Sequence, residues 1–345
     1  LIIISKRVFV FAFVLGAIST AANWNRANFD EIVQKQNSRT DNSWKAGLAT
    51  NLNYDDPAAL AALCGAKVGA IPVSSEPDPH ASHKLQSLPT SFDLRAQYPK
   101  CWSISHIRDQ GQCGGCWAVA SASALSDRYC IKYSTSTVLK QKHISAEDIL
   151  ECCSLSVCGT GPNKGCNGGY MDGAYSFVKT NGASTGENYK NYTTCKPWAF
   201  PHSSANAVAP SCSSTCANTT AYKTPYANDK TKISSYTIYS TQLNPVATVV
   251  NQIQTAIYTL GSVTAYLTVY NEFFAYKSGV YVPVVKTVAG GHAVRIIGWG
   301  VSPTGQPYWI VQNSWGAGWG MSGTFWILRG SNAANIEYYV VAGAF

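Results

Sequence analysis

Over residues 117–131 the chain sets Trp117, Val119, Ala120, Ala124, Leu125 and Tyr129 among small residues with no Pro or Gly, the pattern of a buried helix. A Gly-rich turn precedes it. Ser145-Ala-Glu-Asp148 has the form of a capping box ahead of Ile149 and Leu150, so a second helix is expected there. After Thr231 the pattern changes to runs rich in β-branched and aromatic residues at 262–270, 293–299, 308–312 and 324–328, separated by Gly or Pro. Helices first and strands second predict an α+β protein of two lobes with a cleft between them.

The N-terminal part has a different texture. Lys6 and Arg7 precede an apolar stretch over 8–18, and the small residues Ser19, Thr20, Ala21 and Ala22 follow. Residues 1–22 therefore read as a signal peptide, with an apolar stretch well short of the roughly 20 residues that span a bilayer. Because Leu1 stands where a Met would start the chain, a gene product truncated at its 5′ end is expected. Residues 23–87 contain a single cysteine, Cys64, a polar start over 23–42 and a Pro-, Ser- and His-rich stretch over 71–83 that reads as a linker. The natural boundary lies near Leu88, and 88–345 hold every other cysteine.

Composition narrows the classes. A chain of 345 residues with 46% hydrophobic and 13% charged positions is too apolar to be disordered. Its 20 Tyr, 11 Phe and 10 Trp suggest packed interfaces and stacked pockets. The net charge of +8 comes from scattered residues with no basic run, so no nucleic-acid partner is expected. Twelve cysteines point to an oxidising compartment, and the sequons at Asn191 and Asn218 agree with a secretory route.

The sharpest chemical signal is Gln110-Gly-Gln-Cys113-Gly-Gly-Cys116-Trp117, where the Gly turn opens into the helix. A thiol at a helix N-terminus meets the positive end of the dipole, and an imidazolium beside it would make it a thiolate nucleophile. Cys113-x-x-Cys116 alone also fits a redox pair or half a zinc site. Zinc would want a second pair, for which Cys212-x3-Cys216 is the only candidate, and a redox pair would want a preceding strand.

Gly290-Gly-His292-Ala-Val294 and Gln312-Asn313-Ser-Trp315-Gly316 supply the missing partners. With Leu88-Pro-Thr-Ser-Phe-Asp-Leu-Arg95, Ile107-Arg-Asp-Gln-Gly111, Ser126-Asp-Arg-Tyr-Cys130, Cys166-Asn-Gly-Gly-Tyr170 and, earlier, Ser43-Trp-Lys-Ala-Gly47, the chain resembles the papain family of cysteine proteases, in its cathepsin B-like branch. The resemblance implies a papain-like fold with a helical left lobe and a β-barrel-like right lobe. It also implies an inhibitory propeptide over 23–87 and a mature peptidase over 88–345. Cys116 would be the nucleophile, His292 the base, Asn313 the residue that orients the imidazole, and Gln110 an oxyanion donor beside the Cys116 N–H. Trp315 would shield the Asn–His bond, and Gly168 and Gly169 would pair with the substrate backbone. Glu337 would sit at the end of the pocket for the second side chain before the cut and admit Arg there. The implied disulfides are Cys101–Cys130, Cys113–Cys166, Cys152–Cys212, Cys153–Cys158 and Cys195–Cys216, which makes Cys113 structural.

One departure from the branch bears on activity. The occluding loop that docks a substrate's C-terminal carboxylate normally carries a His-His pair and its own disulfide, whereas Cys195 to Cys212 contains no further cysteine and only His202, expected to pair with Asp109. A mainly endopeptidase activity on proteins or peptides is therefore expected, with dipeptidyl carboxypeptidase activity as the alternative. Smaller departures are Gly115, Met171 and Gln312. An inactive binding homologue should have lost Cys116, His292 or Asn313, and all three are present. No cofactor, metal or membrane partner is expected, and the reading is of a lysosomal or secreted monomer inhibited by its own propeptide.

Overall fold

The computed structural model describes residues 24–69, 87–134, 139–160, 165–202 and 207–345. The signal peptide at 1–22 and the linker at 71–83 lie outside the described residues. Strands in chain order are β1 (Trp44–Ala46), β2 (Ala66–Lys67), β3 (Phe92–Asp93), β4 (Gly169–Tyr170), β5 (Ser235–Tyr239), β6 (Val263–Tyr270), β7 (Tyr276–Tyr281), β8 (Val288–Val301), β9 (Pro307–Gln312), β10 (Thr324–Leu328) and β11 (Val340–Ala344). The main sheet runs β1-β7-β10-β9-β8-β6-β11-β5, with β3 added on β8, while β2 and β4 pair separately. The α+β architecture expected from the sequence is found, with two buried clusters, one within the sheet and one around the long helix Cys116–Tyr133.

That helix is buried on nearly every side because its residues are small. Its hydroxyls need no outside partner: Ser121, Ser123 and Ser126 each donate to the carbonyl four residues back at 2.7 Å. At the start of Ala146–Cys152 the expected capping box is half made. Ser145 Oγ accepts from Asp148 N at 3.0 Å, but the Asp148 carboxylate turns away to Lys196, Lys230 and the Ser184 N–H.

The lobes are tied beneath the cleft by a buried pair. Arg295 on β8 donates to Asp127 Oδ2 at 2.8 Å and to the Ser103, Ser123 and His106 carbonyls, and Ser262 Oγ donates to the same carboxylate at 2.6 Å. The five disulfides have the connectivity that the resemblance implied, leaving Cys64 and Cys116 as free thiols.

The N-terminal segment packs as part of the molecule. Phe29 of the helix Arg26–Ser38 lies edge-on to Tyr54 at 5.0 Å and to Phe274 at 6.4 Å. β1 extends the sheet along β7, with Trp44 only 2% exposed. From this anchorage the chain passes through the short helix Pro57–Ala61 and enters the cleft.

Candidate active site

Cys116 opens the long helix, so its side chain stands at the positive end of the dipole. The turn before it is pinned by Cys113–Cys166. Gly115 has a local reason: a β-carbon there would lie 2.8 Å from the Trp198 ring.

His292 comes from β8 and Asn313 directly follows β9, the neighbouring antiparallel strand. The His292 Nε2 donates to Asn313 Oδ1 at 2.7 Å, and the Ser314 N–H donates to the same atom at 2.8 Å, which fixes it as the oxygen of the amide. Nε2 therefore carries a proton, and the other side of the ring faces the Leu63 backbone of the N-terminal segment. Trp315 is 1% exposed and covers the imidazole with ring centroids 4.9 Å apart.

Gln110 is fully buried and held by a residue that the sequence reading passed over. Ser314 Oγ donates to Gln110 Oε1 at 2.6 Å, which turns the amide nitrogen toward the cleft. That nitrogen donates to the Cys113 carbonyl at 2.8 Å and to the Leu63 carbonyl at 3.0 Å. The expected oxyanion donor is thus already engaged by the N-terminal segment.

The next residues of the segment continue across the site. The Gly65 carbonyl accepts from the Gly169 N–H at 2.9 Å, and β2 then runs parallel to β4 with Ala66 opposite Gly169 and Lys67 opposite Tyr170. The approach is too close for side chains. A β-carbon on Gly65 would sit 1.8 Å from the Gly114 oxygen, and one on Gly168, whose φ is +92°, would sit 2.4 Å from the Gly65 oxygen.

Covering the site changes its electrostatics. Burial pushes the Cys116 thiol up to about 11, against the N–H groups of Ala293, Gly65 and Trp117, which favour the thiolate. Burial also takes the His292 imidazole down to about 4, with the Asn313 bond and the Leu63 backbone opposing. Both groups are neutral over the working range in this covered state, in contrast to the thiolate expected from the helix N-terminus. The physical reason is the segment, which removes the water that would solvate an ion pair.

Glu337 lies in the turn that leads into β11. It is fully buried, with Oε1 accepting from Trp309 Nε1 at 2.9 Å and Gly330 N at 2.7 Å, and Oε2 from Asn332 N. The carboxylate organises the turn between β10 and β11, where Asn332, Ala334 and Asn335 have positive φ. The carboxylate expected at the end of a substrate pocket is held here by Trp309 and by this turn. His202 is exposed, and its ring bridges Asp109 Oδ2 at 2.6 Å and the Asn51 carbonyl of the N-terminal segment at 2.6 Å.

Asp148, Glu151 and Cys152 bring three potential metal-ligand atoms within 4.8 Å of one another. The Lys196 ammonium fills the position, 2.9 Å from Asp148 and 2.5 Å from Glu151, and the Cys152 sulfur is bonded to Cys212. Among the described residues no helix is long and apolar enough to cross a membrane.

The same architecture is found in known proteins. Residues 88–344 match the model of the family described as papain family cysteine protease. The chain is 35% identical over 351 residues to a cathepsin B-like cysteine proteinase of Schistosoma japonicum, covering 97% of this chain and 96% of that protein. It is 40% identical over 267 residues to cathepsin B-like cysteine proteinase 4 of Caenorhabditis elegans, covering 74% of this chain and 75% of the relative. Among solved structures, the procathepsin B S9 of Trypanosoma congolense superposes with a TM-score of 0.73 at 32% identity, over 93% of this chain and 97% of that one.

Proposed function

We infer, from the premise that this chain belongs to the papain family of cysteine proteases, that it is made as an inactive precursor and acts mainly as an endopeptidase once its N-terminal segment is removed. The observation that carries the reading is the Leu63 carbonyl on the Gln110 amide, because a peptide carbonyl already lies where a substrate's oxyanion would form.

In a substrate complex Cys116 Sγ attacks the scissile carbonyl, and the oxyanion is held by Gln110 Nε2 and the Cys116 N–H. His292 returns the thiol proton to the leaving amine, and water, deprotonated by the same imidazole, then hydrolyses the acyl-enzyme. Asn313 keeps the ring in the tautomer that this requires. Substrate residues before the cut lie along Gly168 and Gly169. The N-terminal segment sends the residues after Leu63 along that strand instead, so it occupies the cleft in the opposite sense and resists cleavage. On this reading 23–87 are the inhibitory propeptide and 88–345 the mature, monomeric enzyme of a lysosomal or extracellular compartment.

Endopeptidase activity is favoured because the loop from Cys195 to Cys212 lacks an internal disulfide and offers one histidine. Dipeptidyl carboxypeptidase activity is the second reading, favoured by the bond that holds His202 to Asp109. Two peptides that differ only in a free or amidated C-terminus test the choice by mass spectrometry after acid maturation. Equal internal cleavage supports the endopeptidase. Stepwise dipeptide release from the free-carboxylate peptide alone supports the second reading.

A further inference from the structure

Gln312, one of the departures from the branch, is the last residue of β9 and stands directly before Asn313. It is 3% exposed, and both ends of its amide are engaged. Nε2 donates to the Ile104 carbonyl at 2.7 Å, and Oε1 accepts from Arg295 Nη2. A guanidinium only donates and a carbonyl only accepts, so these two partners fix the orientation of the amide.

The two bonds lead to opposite sides of the cleft. Ile104 belongs to the short helix Trp102–Ser105, which packs on the long helix. Cys101, just before that short helix, is bonded to Cys130 within the helix that Cys116 opens. Arg295 lies on β8 opposite Gln312, three residues after His292. One side chain thus connects the helix of the nucleophile with the strand of the base. Side chains alternate along an extended chain. Asn313 holds His292, while Gln312 and Ser314 on either side of it reach across to Ile104 and Gln110. Among the described residues no other donor reaches the Ile104 carbonyl, which belongs to a residue with no exposed surface, so losing Gln312 strands a buried acceptor at the junction of the lobes. The N-terminal segment also bridges the lobes, through β1 on β7 and β2 on β4, and that bridge goes when the segment is removed.

We propose that Gln312 is a positioning residue for the peptidase reaction: it sets the separation of the lobes so that the Cys116 thiol and the His292 imidazole meet as an ion pair in the matured enzyme. This deepens the peptidase reading and rests on it.

The test uses acid-matured enzyme and a small fluorogenic peptide. Each preparation is titrated with a peptidyl epoxide that alkylates Cys116, so rates refer to competent sites. Gln312→Met keeps the length of the side chain and removes both bonds. It should lower kcat about tenfold with KM changed by less than about twofold, short of the roughly 10²-fold that a displacement of about 1 Å can cost. The ultraviolet absorbance of the Cys116 thiolate, read as its loss on alkylation, should fall with kcat at the same pH. Gln312→Glu keeps an acceptor for Arg295 but sets a carboxylate against the Ile104 carbonyl, so it should recover neither quantity. Gln312→Asn, too short to span both partners, should lie between Gln312→Met and the parent, and it carries the test if Gln312→Met does not fold. Parental kcat and thiolate absorbance in Gln312→Met or Gln312→Asn, even with a lower unfolding midpoint, overturn the proposal, and so does full recovery in Gln312→Glu. Failure of the parent enzyme to cut the peptide, or to react with the epoxide, counts instead against the peptidase reading.

Discussion

Replacing Gly65 by valine should switch on the uncut chain. The segment is held in the cleft at a few points, and Gly65 is the one where no side chain fits, since a β-carbon would fall 1.8 Å from the backbone oxygen of Gly114. A backbone clash of that depth cannot be relieved by a rotamer change, so residues 63–67 must lift away. The lift breaks the Leu63–Gln110 bond at 3.0 Å, the Gly65–Gly169 bond at 2.9 Å and the short β2–β4 pairing. At about 1 kcal/mol net for each hydrogen bond, plus the apolar contact of Ala66, the covered state loses about 2 to 4 kcal/mol. Such a loss raises the uncovered population about 30- to 1,000-fold. The rest of the segment should stay docked, because its anchors, Phe29, Tyr54 and Trp44, are buried far from the substitution. The assay is labelling of the full-length chain by a tagged peptidyl epoxide, with an intact band on a gel and with initial rates on a small fluorogenic peptide. Gly65→Ala should fall between the parent and Gly65→Val. A folded Gly65→Val chain that labels no faster than the parent would refute the reasoning.

Four further outcomes are expected. With the thiol at about 11 and the imidazole at about 4 in the covered state, Cys116 is neutral between those values, so alkylation of the intact chain should stay slow from pH 5 to 8 and accelerate sharply after maturation, read by peptide mapping. Gln110→Ala in the matured enzyme should lower kcat by about 10² to 10³, and Ser314→Ala, which only frees the amide, by about tenfold, in steady-state kinetics. Arg295→Met leaves Asp127 buried without its cation and should cost about 3 to 5 kcal/mol in denaturant unfolding, with partial recovery in the Asp127→Leu double variant. Burial raises Glu147 from 4.5 to about 8, so its contribution to stability is complete below the unfolded value and fades as pH rises toward 8; Glu147→Gln should flatten that decline in melts between pH 5 and 8.

What the sequence could tell follows from where the information is local. The long helix was legible because its small residues form an unbroken run, and β6, β8, β9 and β10 because their β-branched and aromatic runs end at Gly or Pro. Cys116, His292, Asn313 and Gln110 were legible from short motifs, and the disulfide connectivity from resemblance alone. The passage of 63–67 through the cleft was not, since a two-residue strand has no periodicity and Gly65 matters for the side chain it lacks. The hydrogen bonds of Glu337 were not legible because they depend on a turn with positive φ at Asn332, Ala334 and Asn335, which only the folded backbone reveals. Arg295–Asp127 and Asp172–Tyr339 join positions 168 and 167 residues apart in sequence.

The most direct test of the account compares acid-matured parent, Cys116→Ala and His292→Ala on one amidated peptide, with products identified by mass spectrometry and all three proteins checked for folding by near-UV circular dichroism. The account predicts internal cleavage by the parent and its loss by at least about 10³ in each variant. Cleavage that persists in Cys116→Ala, or a parent that cuts nothing while folded and matured, would contradict it.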